Sequence, residues 1–168
     1  MQVEKIIIDE IDAFIFDFDG VLTNNMVYLD QNGKELVGCS RSDGLAFDLL
    51  RKLGKKYYII STERNSVVRA RAKKLKAPVL QGISSKVDAL KGLAMKENFN
   101  LEKSMYVGND VNDYQAMQLC GYSACPADSH NDIKKIATFI LKKDGGSGVI
   151  RELLEGIFSL NFIEILYS

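Results

Sequence analysis

Phe14-Ile15-Phe16-Asp17-Phe18-Asp19-Gly20-Val21-Leu22-Thr23 sets an apolar run directly against an Asp-x-Asp pair and a glycine. A short apolar run bounded by a turn signal reads as a buried strand. The glycine lets the chain turn at the strand's end. Two carboxylates at one strand end repel each other unless a cation lies between them. Oxygen ligands on a tight turn suit Mg²⁺, which takes few protein ligands and keeps places for water and phosphate. With a cation held there, Asp17 retains a carboxylate oxygen for in-line attack on phosphorus. Asp19 stands two residues on, placed to protonate the leaving oxygen and later to deprotonate water. Taken alone, the pair also reads as a solvated turn.

Outward from this stretch, short apolar runs alternate with helical patterns. Ala13–Phe16, Tyr57–Ile60, Met105–Val107, Tyr122–Ala124 and 139–141 read as strands. Gly44–Leu53, Ser66–Leu75, Lys86–Lys96, Asp113–Leu119 and Val149–Phe158 carry apolar residues at helical spacing, as in Val87, Leu90, Leu93 and Ala94. Buried strands alternating with helices predict an α/β fold. It would be a three-layer, Rossmann-like parallel sheet with helices on both faces and ligands at the strand carboxyl ends. One segment departs from the alternation. Val27–Leu29 and Glu35–Gly38 flank Asp30-Gln31-Asn32-Gly33, and the Asn-Gly pair, able to take positive φ at both residues, predicts a β-hairpin over 26–39 projecting after the first strand.

Three later features fall on the same sheet edge. The second long strand ends in Ser61, whose hydroxyl suits a phosphoryl oxygen and equally suits a helix N-cap. Lys86 opens a helix, an unfavourable place for a cation in the helix dipole. Neutralising a phosphoryl group is one reason for it, and plain solvation is the other. Gly108-Asn109-Asp110-Val111-Asn112-Asp113 follows a third strand and offers a second set of oxygen ligands, or an Asx-rich turn capping a helix. In a parallel sheet all four features converge.

Composition narrows the alternatives. At 168 residues the chain reads as one domain over 1–168. The 22 basic and 22 acidic residues balance, which argues against a nucleic-acid partner. Cys39, Cys120 and Cys125 are odd in number and form no C-x-x-C, so a reducing, cytoplasmic setting is expected. His130 is the single histidine, which excludes multi-histidine metal sites. Glu4, Lys5, Asp9, Glu10 and Asp12 interrupt the first apolar stretch, unlike a signal peptide. No run approaches the ~20 apolar residues that span a bilayer. Residues 159–168 (SLNFIEILYS) are apolar and either fray or dock.

From Phe14 to Arg151 the sequence resembles the haloacid dehalogenase-like phosphatases. The resemblance implies Asp17 as nucleophile, Asp19 as general acid/base, and Ser61 and Lys86 as the motif residues that bind the phosphoryl group. It implies a Mg²⁺ site drawn from Asp17, Asp19, Asn109, Asp110 and Asp113. Asn109 departs from the family's usual aspartate, removing one charge. The hairpin, Arg41-Ser42-Asp43-Gly44, Gln81-Gly82, Pro126-Ala127-Asp128 and Gly145-Gly146-Ser147-Gly148 followed by Arg151-Glu152 look like the small branch without a cap domain. That branch holds 3-deoxy-D-manno-octulosonate (KDO) 8-phosphate phosphatases, nonulosonate 9-phosphate phosphatases and C-terminal domains of acylneuraminate cytidylyltransferases. It implies a phosphorylated 3-deoxy-2-keto sugar acid as substrate, with Arg41, Asp43, Thr62, Glu63, Arg64 and Arg71 as candidate contacts. It also implies a homotetramer, in which a neighbour's hairpin and 159–168 tail close each site. Ser61-Thr62-Glu63 replaces the KDO branch's Thr-Gly-Arg and leans toward a nine-carbon, sialic-acid-type substrate.

Two rival readings stand beside this one. The first is an assembly module with weak or absent catalysis, for which Asn109 speaks. The second is a phospho-accepting receiver, against which the Asp-x-Asp on the first strand speaks.

Overall fold

The computed structural model describes residues 6–168; Glu4 and Lys5 lie outside the described residues. The elements, in chain order, are β1 (Ala13–Phe16), β2 (Tyr28–Leu29), β3 (Glu35–Leu36), α1 (Arg41–Lys52), β4 (Lys56–Ser61), α2 (Ser66–Leu75) and β5 (Val79–Gln81). They continue with α3 (Lys86–Glu97), β6 (Ser104–Val107), α4 (Tyr114–Leu119), β7 (Tyr122–Cys125), α5 (Asn131–Ile136), β8 (Phe139–Ile140), α6 (Val149–Glu152) and α7 (Phe162–Tyr167).

Six strands form one parallel sheet in the order β5-β4-β1-β6-β7-β8. β1 lies between β4 and β6, and all four of its residues are buried. Because side chains alternate across a strand, Phe14 and Phe16 face one helical layer and Ala13 and Ile15 the other. The first layer holds α1, α2, α6 and α7, where Phe16 meets Phe47 edge-on at 5.3 Å and Phe14 meets Phe158 at 5.6 Å. The second holds α3, α4 and α5, with Leu90, Leu93, Met117 and Ile133 on the sheet. This is the expected three-layer α/β architecture.

The differences from expectation are local. β5 escapes a periodicity reading because it is three residues long and follows Pro78; at a sheet edge that proline does no harm, since only its carbonyl is used, accepting from Ile59 N–H at 2.9 Å. α5 is two turns started by the His130 side chain, whose Nδ1 accepts from Asp132 N–H. The helix expected over Val149–Phe158 passes from α6 into a π-helical turn over Leu153–Ile157. The hairpin forms, but only Gly33 takes a positive φ, +77°. The Asp30 carboxylate accepts from Asn32 N–H and Lys34 N–H, which holds an ordinary turn closed by glycine rather than a turn with two left-handed residues.

Of the two outcomes open to the 159–168 tail, fraying or docking, the structure shows docking. Phe162 is buried, the Arg151 guanidinium lies 4.0 Å over its ring, and Lys52 at the end of α1 donates to the carbonyls of Leu166 and Ser168. The tail therefore docks on its own chain, at the end of α1 remote from the strand carboxyl ends.

Candidate active site

β1 delivers the acidic pair to the sheet edge. Asp17 N–H donates to Val107 O at 2.9 Å, extending the ladder one step past the strand. The Phe18 carbonyl then accepts from Leu22 and Thr23 N–H, folding the chain into a turn on which Gly20 takes φ +80°. Thr23 Oγ1 accepts from Gly20 N–H and Asn25 N–H and fixes that turn.

Lys86, on the first turn of α3, is buried and reaches back into the sheet. Its Nζ donates to Asp17 Oδ1 at 2.8 Å and to Asp113 Oδ1 at 2.6 Å. The surface-lysine reading is therefore excluded. Asp113 Oδ1 also accepts from Tyr106 OH at 2.8 Å, and its Oδ2 accepts from Asn109 and Asp110 N–H at 3.0 and 3.3 Å. The expectation that Asp113 holds the cation is corrected here. Both oxygens are engaged, the residue is wholly buried, and its job is to hold Lys86 and the 109–110 loop. Asp110 caps the following turn through Val111 N–H and is part-exposed toward the cleft.

Ser61, at the end of β4, is buried and accepts from Glu63 N–H at 3.1 Å, so it serves the turn and the cleft together. A cavity of about 150 Å³ gathers Asp17, Asp19, Ser61, Thr62, Asn109 and Asp110 with Asn25, Val111 and Asn112. A second, of about 280 Å³, adjoins it past Thr62, Val111 and Asn112, and takes in Ser84, Ser85, Lys86 and Gln115.

No arginine lines either cavity. Arg41 and Arg64 are exposed, and Arg71 gives its guanidinium to Ser40 O at 2.7 Å, tying α2 to the start of α1. Glu63 is turned onto its own backbone, accepting from Arg64 and Asn65 N–H. Asp43 is a further correction to the expected substrate contacts. It is fully buried and its Oδ1 accepts from Ile150 and Arg151 N–H, capping α6 from 107 residues away in sequence.

Burial, and then the neighbouring Asp113 charge, push the Asp17 carboxyl up to about 8 against the pull of Lys86. Burial also raises Asp19, helped by the Glu63 carboxylate, which favours the protonated form that a general acid needs. Burial alone would lower Lys86, but Asp17 and Asp113 reverse the direction and keep it charged.

Among the described residues no three His, Cys, Asp or Glu side chains gather as a metal-holding group. The donor set that fits a hard cation is mixed: Asp17 Oδ2, the Asp19 carbonyl and the Asn109 carboxamide. The carboxamide lies 2.8 Å from Asp19 O and 3.3 Å from Asp17 Oδ2. All three donors are oxygen when the amide presents Oδ1, which suits Mg²⁺.

Residues 48–153 match the model of the haloacid dehalogenase-like hydrolases. The chain belongs to the haloacid dehalogenase-like hydrolases, in their phosphatase branch. This hydrolase is 30% identical over 148 residues to the Escherichia coli K12 3-deoxy-D-manno-octulosonate 8-phosphate phosphatase KdsC, covering 88% of this chain and 79% of that one. Its fold matches a putative haloacid dehalogenase family hydrolase of Streptomyces avermitilis with a TM-score of 0.90, 41% identity and coverage of 94% and 90%. It also matches the Moraxella catarrhalis KDO 8-phosphate phosphatase solved with magnesium, phosphate and KDO. That TM-score is 0.86 at 28% identity, covering 94% and 91%.

Tyr106 and Asn25 are residues at the site that the sequence reading passed over. Tyr106 sits inside an apolar strand, and its one signal is a hydroxyl that a buried position must satisfy. Asn25 reads as an ordinary turn residue.

Proposed function

We propose that this hydrolase cleaves the phosphomonoester of a 3-deoxy-2-keto sugar acid, KDO 8-phosphate or a nonulosonate 9-phosphate, through an aspartyl-phosphate at Asp17. The observation that carries the reading is the Lys86–Asp17 pair, buried at the floor of a cleft that also holds Asp19 and Ser61. Asp17 Oδ2 faces the candidate cation donors and Oδ1 faces Lys86, so Oδ1 is the attacking oxygen. In the first step the Asp17 oxygen bonds phosphorus, the phosphorus–sugar oxygen bond breaks, and Asp19 gives its proton to the leaving oxygen. In the second, Asp19 takes a proton from water as that water bonds phosphorus and releases Asp17. Lys86 and Ser61 balance the phosphoryl charge, where most catalysis of this reaction lies. Mg²⁺, held by Asp17, Asp19 and Asn109 with Asp110 alongside, would supply the remaining positive charge.

Two kinds of support favour the sugar acid. The E. coli and M. catarrhalis relatives carry KDO 8-phosphate phosphatase in their names, and the latter was solved with KDO. Glu63, in place of an arginine, inclines the choice toward the nine-carbon acids. The hairpin favours a homotetramer that closes each site: Met26, Val27, Tyr28, Leu29 and Leu36 are all more than half exposed. The three free cysteines agree with a cytoplasmic setting, and no helix among the described residues is long and apolar enough to cross a membrane.

The test is phosphate release with Mg²⁺ from KDO 8-phosphate, N-acetylneuraminate 9-phosphate and its deaminated counterpart. Turnover of at least one of them, abolished in Asp17→Asn, is expected. No turnover of any would move the reading to an assembly module.

A further inference from the structure

Position 109 is where the sequence departs from its family, and the structure gives that departure a physical content. The Asn109 backbone is held at both ends of its peptide units: its N–H donates to Asp113 Oδ2 and its carbonyl accepts from His130 N–H at 2.9 Å. Its side chain is only 7% exposed and packs against Gly20, where an added Cβ would fall 2.5 Å from Asn109 Cγ. The carboxamide thus has one place to lie. The freedom left to it is a half-turn about its Cβ–Cγ bond, which exchanges Oδ1 and Nδ2.

The two orientations do opposite things at the same point. The structure sets Oδ1 toward the turn and Nδ2 over Gly20; the half-turn puts Nδ2 in its place, where it can donate to Asp19 O at 2.8 Å and to Asp17 Oδ2 at 3.3 Å. With Oδ1 there, an oxygen faces two more oxygens at those distances, and no hydrogen can lie between it and the Asp19 carbonyl. That is repulsive in a buried site. It becomes favourable around a cation, because adjacent ligands at the 2.0–2.1 Å bonds of Mg²⁺ stand about 2.9 Å apart. An aspartate could supply only the second arrangement, and without a cation it would add a further negative charge beside Asp17.

We infer that Asn109 is a two-way latch, its amide N–H joining Asp17 to the Asp19 carbonyl when no metal is present and its Oδ1 replacing that bond as a metal ligand. The inference rests on the metal-dependent reading above and goes further. It makes the metal-free site self-satisfied and opposes metal entry by the bonds that must be given up. The chain's own residues therefore set a weak, concentration-responsive Mg²⁺ affinity, in place of the tight one a third carboxylate would give.

The test uses the full chain and does not depend on turnover. Mg²⁺ affinity is measured by calorimetry, and melting temperature is measured in EDTA and in saturating MgCl₂, for wild type, Asn109→Asp and Asn109→Ala. Asn109→Asp is expected to bind Mg²⁺ at least tenfold more tightly, to melt below wild type in EDTA, and to gain more on adding Mg²⁺. Asn109→Ala, with neither donor nor ligand, is expected to melt below wild type in EDTA and to bind Mg²⁺ more weakly. Equal affinity and equal melting in EDTA for wild type and Asn109→Asp would overturn the latch, as would an Asn109→Ala variant matching wild type in both. Absence of Mg²⁺ binding in all three would overturn the latch and the metal site together. The expected pattern, accompanied by no phosphate release from any sugar phosphate, would uphold the latch while removing the proposed reaction.

Discussion

Lys86 and Asp17 are 69 residues apart in sequence and pair at 2.8 Å beneath the cleft, each almost wholly buried. The pair is one limb of a chain that continues from Lys86 to Asp113 and from Asp113 to Tyr106 OH. A buried cation between two carboxylates is hard to replace, since removing it leaves two buried carboxyl groups with no counter-charge, one of which must take up a proton while the other stays stranded.

Lys86→Ala should therefore cost about 3–5 kcal/mol of stability as well as activity. Adding Asp113→Asn should return most of the lost stability by removing the stranded charge, while phosphate release stays lost. Urea denaturation of the single and double variants at pH 7 checks this. A double variant no more stable than Lys86→Ala would contradict the charge argument.

Asp43 offers a pH-dependent test away from the cleft. Burial raises its carboxyl from about 3.8 to about 6, against the N–H groups of Arg151 and Ile150 that it caps. Between those values the folded chain keeps a proton that the unfolded chain has released, so Asp43's contribution falls as pH rises from about 4 to about 6 and is constant above. Asn at 43 keeps the accepting oxygen and does not ionise. The stability of Asp43→Asn relative to wild type should climb across that window, by at most about 3 kcal/mol. Melting curves at pH 4, 5, 6 and 7 read it out, and a flat difference would rule it out.

The hairpin supplies a third test. Leu29 and Leu36 are 66% and 57% exposed on a two-stranded ribbon that buries neither in its own chain. Leu29→Glu with Leu36→Glu should reduce the particle mass measured by light scattering to that of a monomer, lower phosphate release, and leave the far-ultraviolet spectrum unchanged. An unchanged particle mass would remove the hairpin from the assembly.

The core of the fold was legible because β1, β4 and β6 are apolar runs ending in polar residues, and that pattern survives without neighbours. β5 and α5 were not. Three residues after a proline, or two turns started by a histidine cap, have too little periodicity to stand out, and they form because the sheet edge and the Asn109–His130 bond are already there. Asp17, Asp19, Ser61 and Lys86 could be named from their positions at strand and helix ends. Asp43 could not be sorted from a substrate contact, because what claims its carboxylate is a helix start 107 residues away.

By itself, the amino-acid sequence determined the parallel sheet, the edge on which the chemistry gathers and the four residues that would carry it. Alternation and strand-end chemistry are local properties, and a parallel sheet turns them into one site. The tertiary structure decided how the carboxylates share the work. Asp17 faces the cleft, whereas Asp113 turns inward to Lys86 and Tyr106, and Asp43 inward to α6. Each is an aspartate in a loop or first turn, alike in sequence. The division arises from which buried N–H, O–H or ammonium group lies within reach, and only the packed chain brings those groups together.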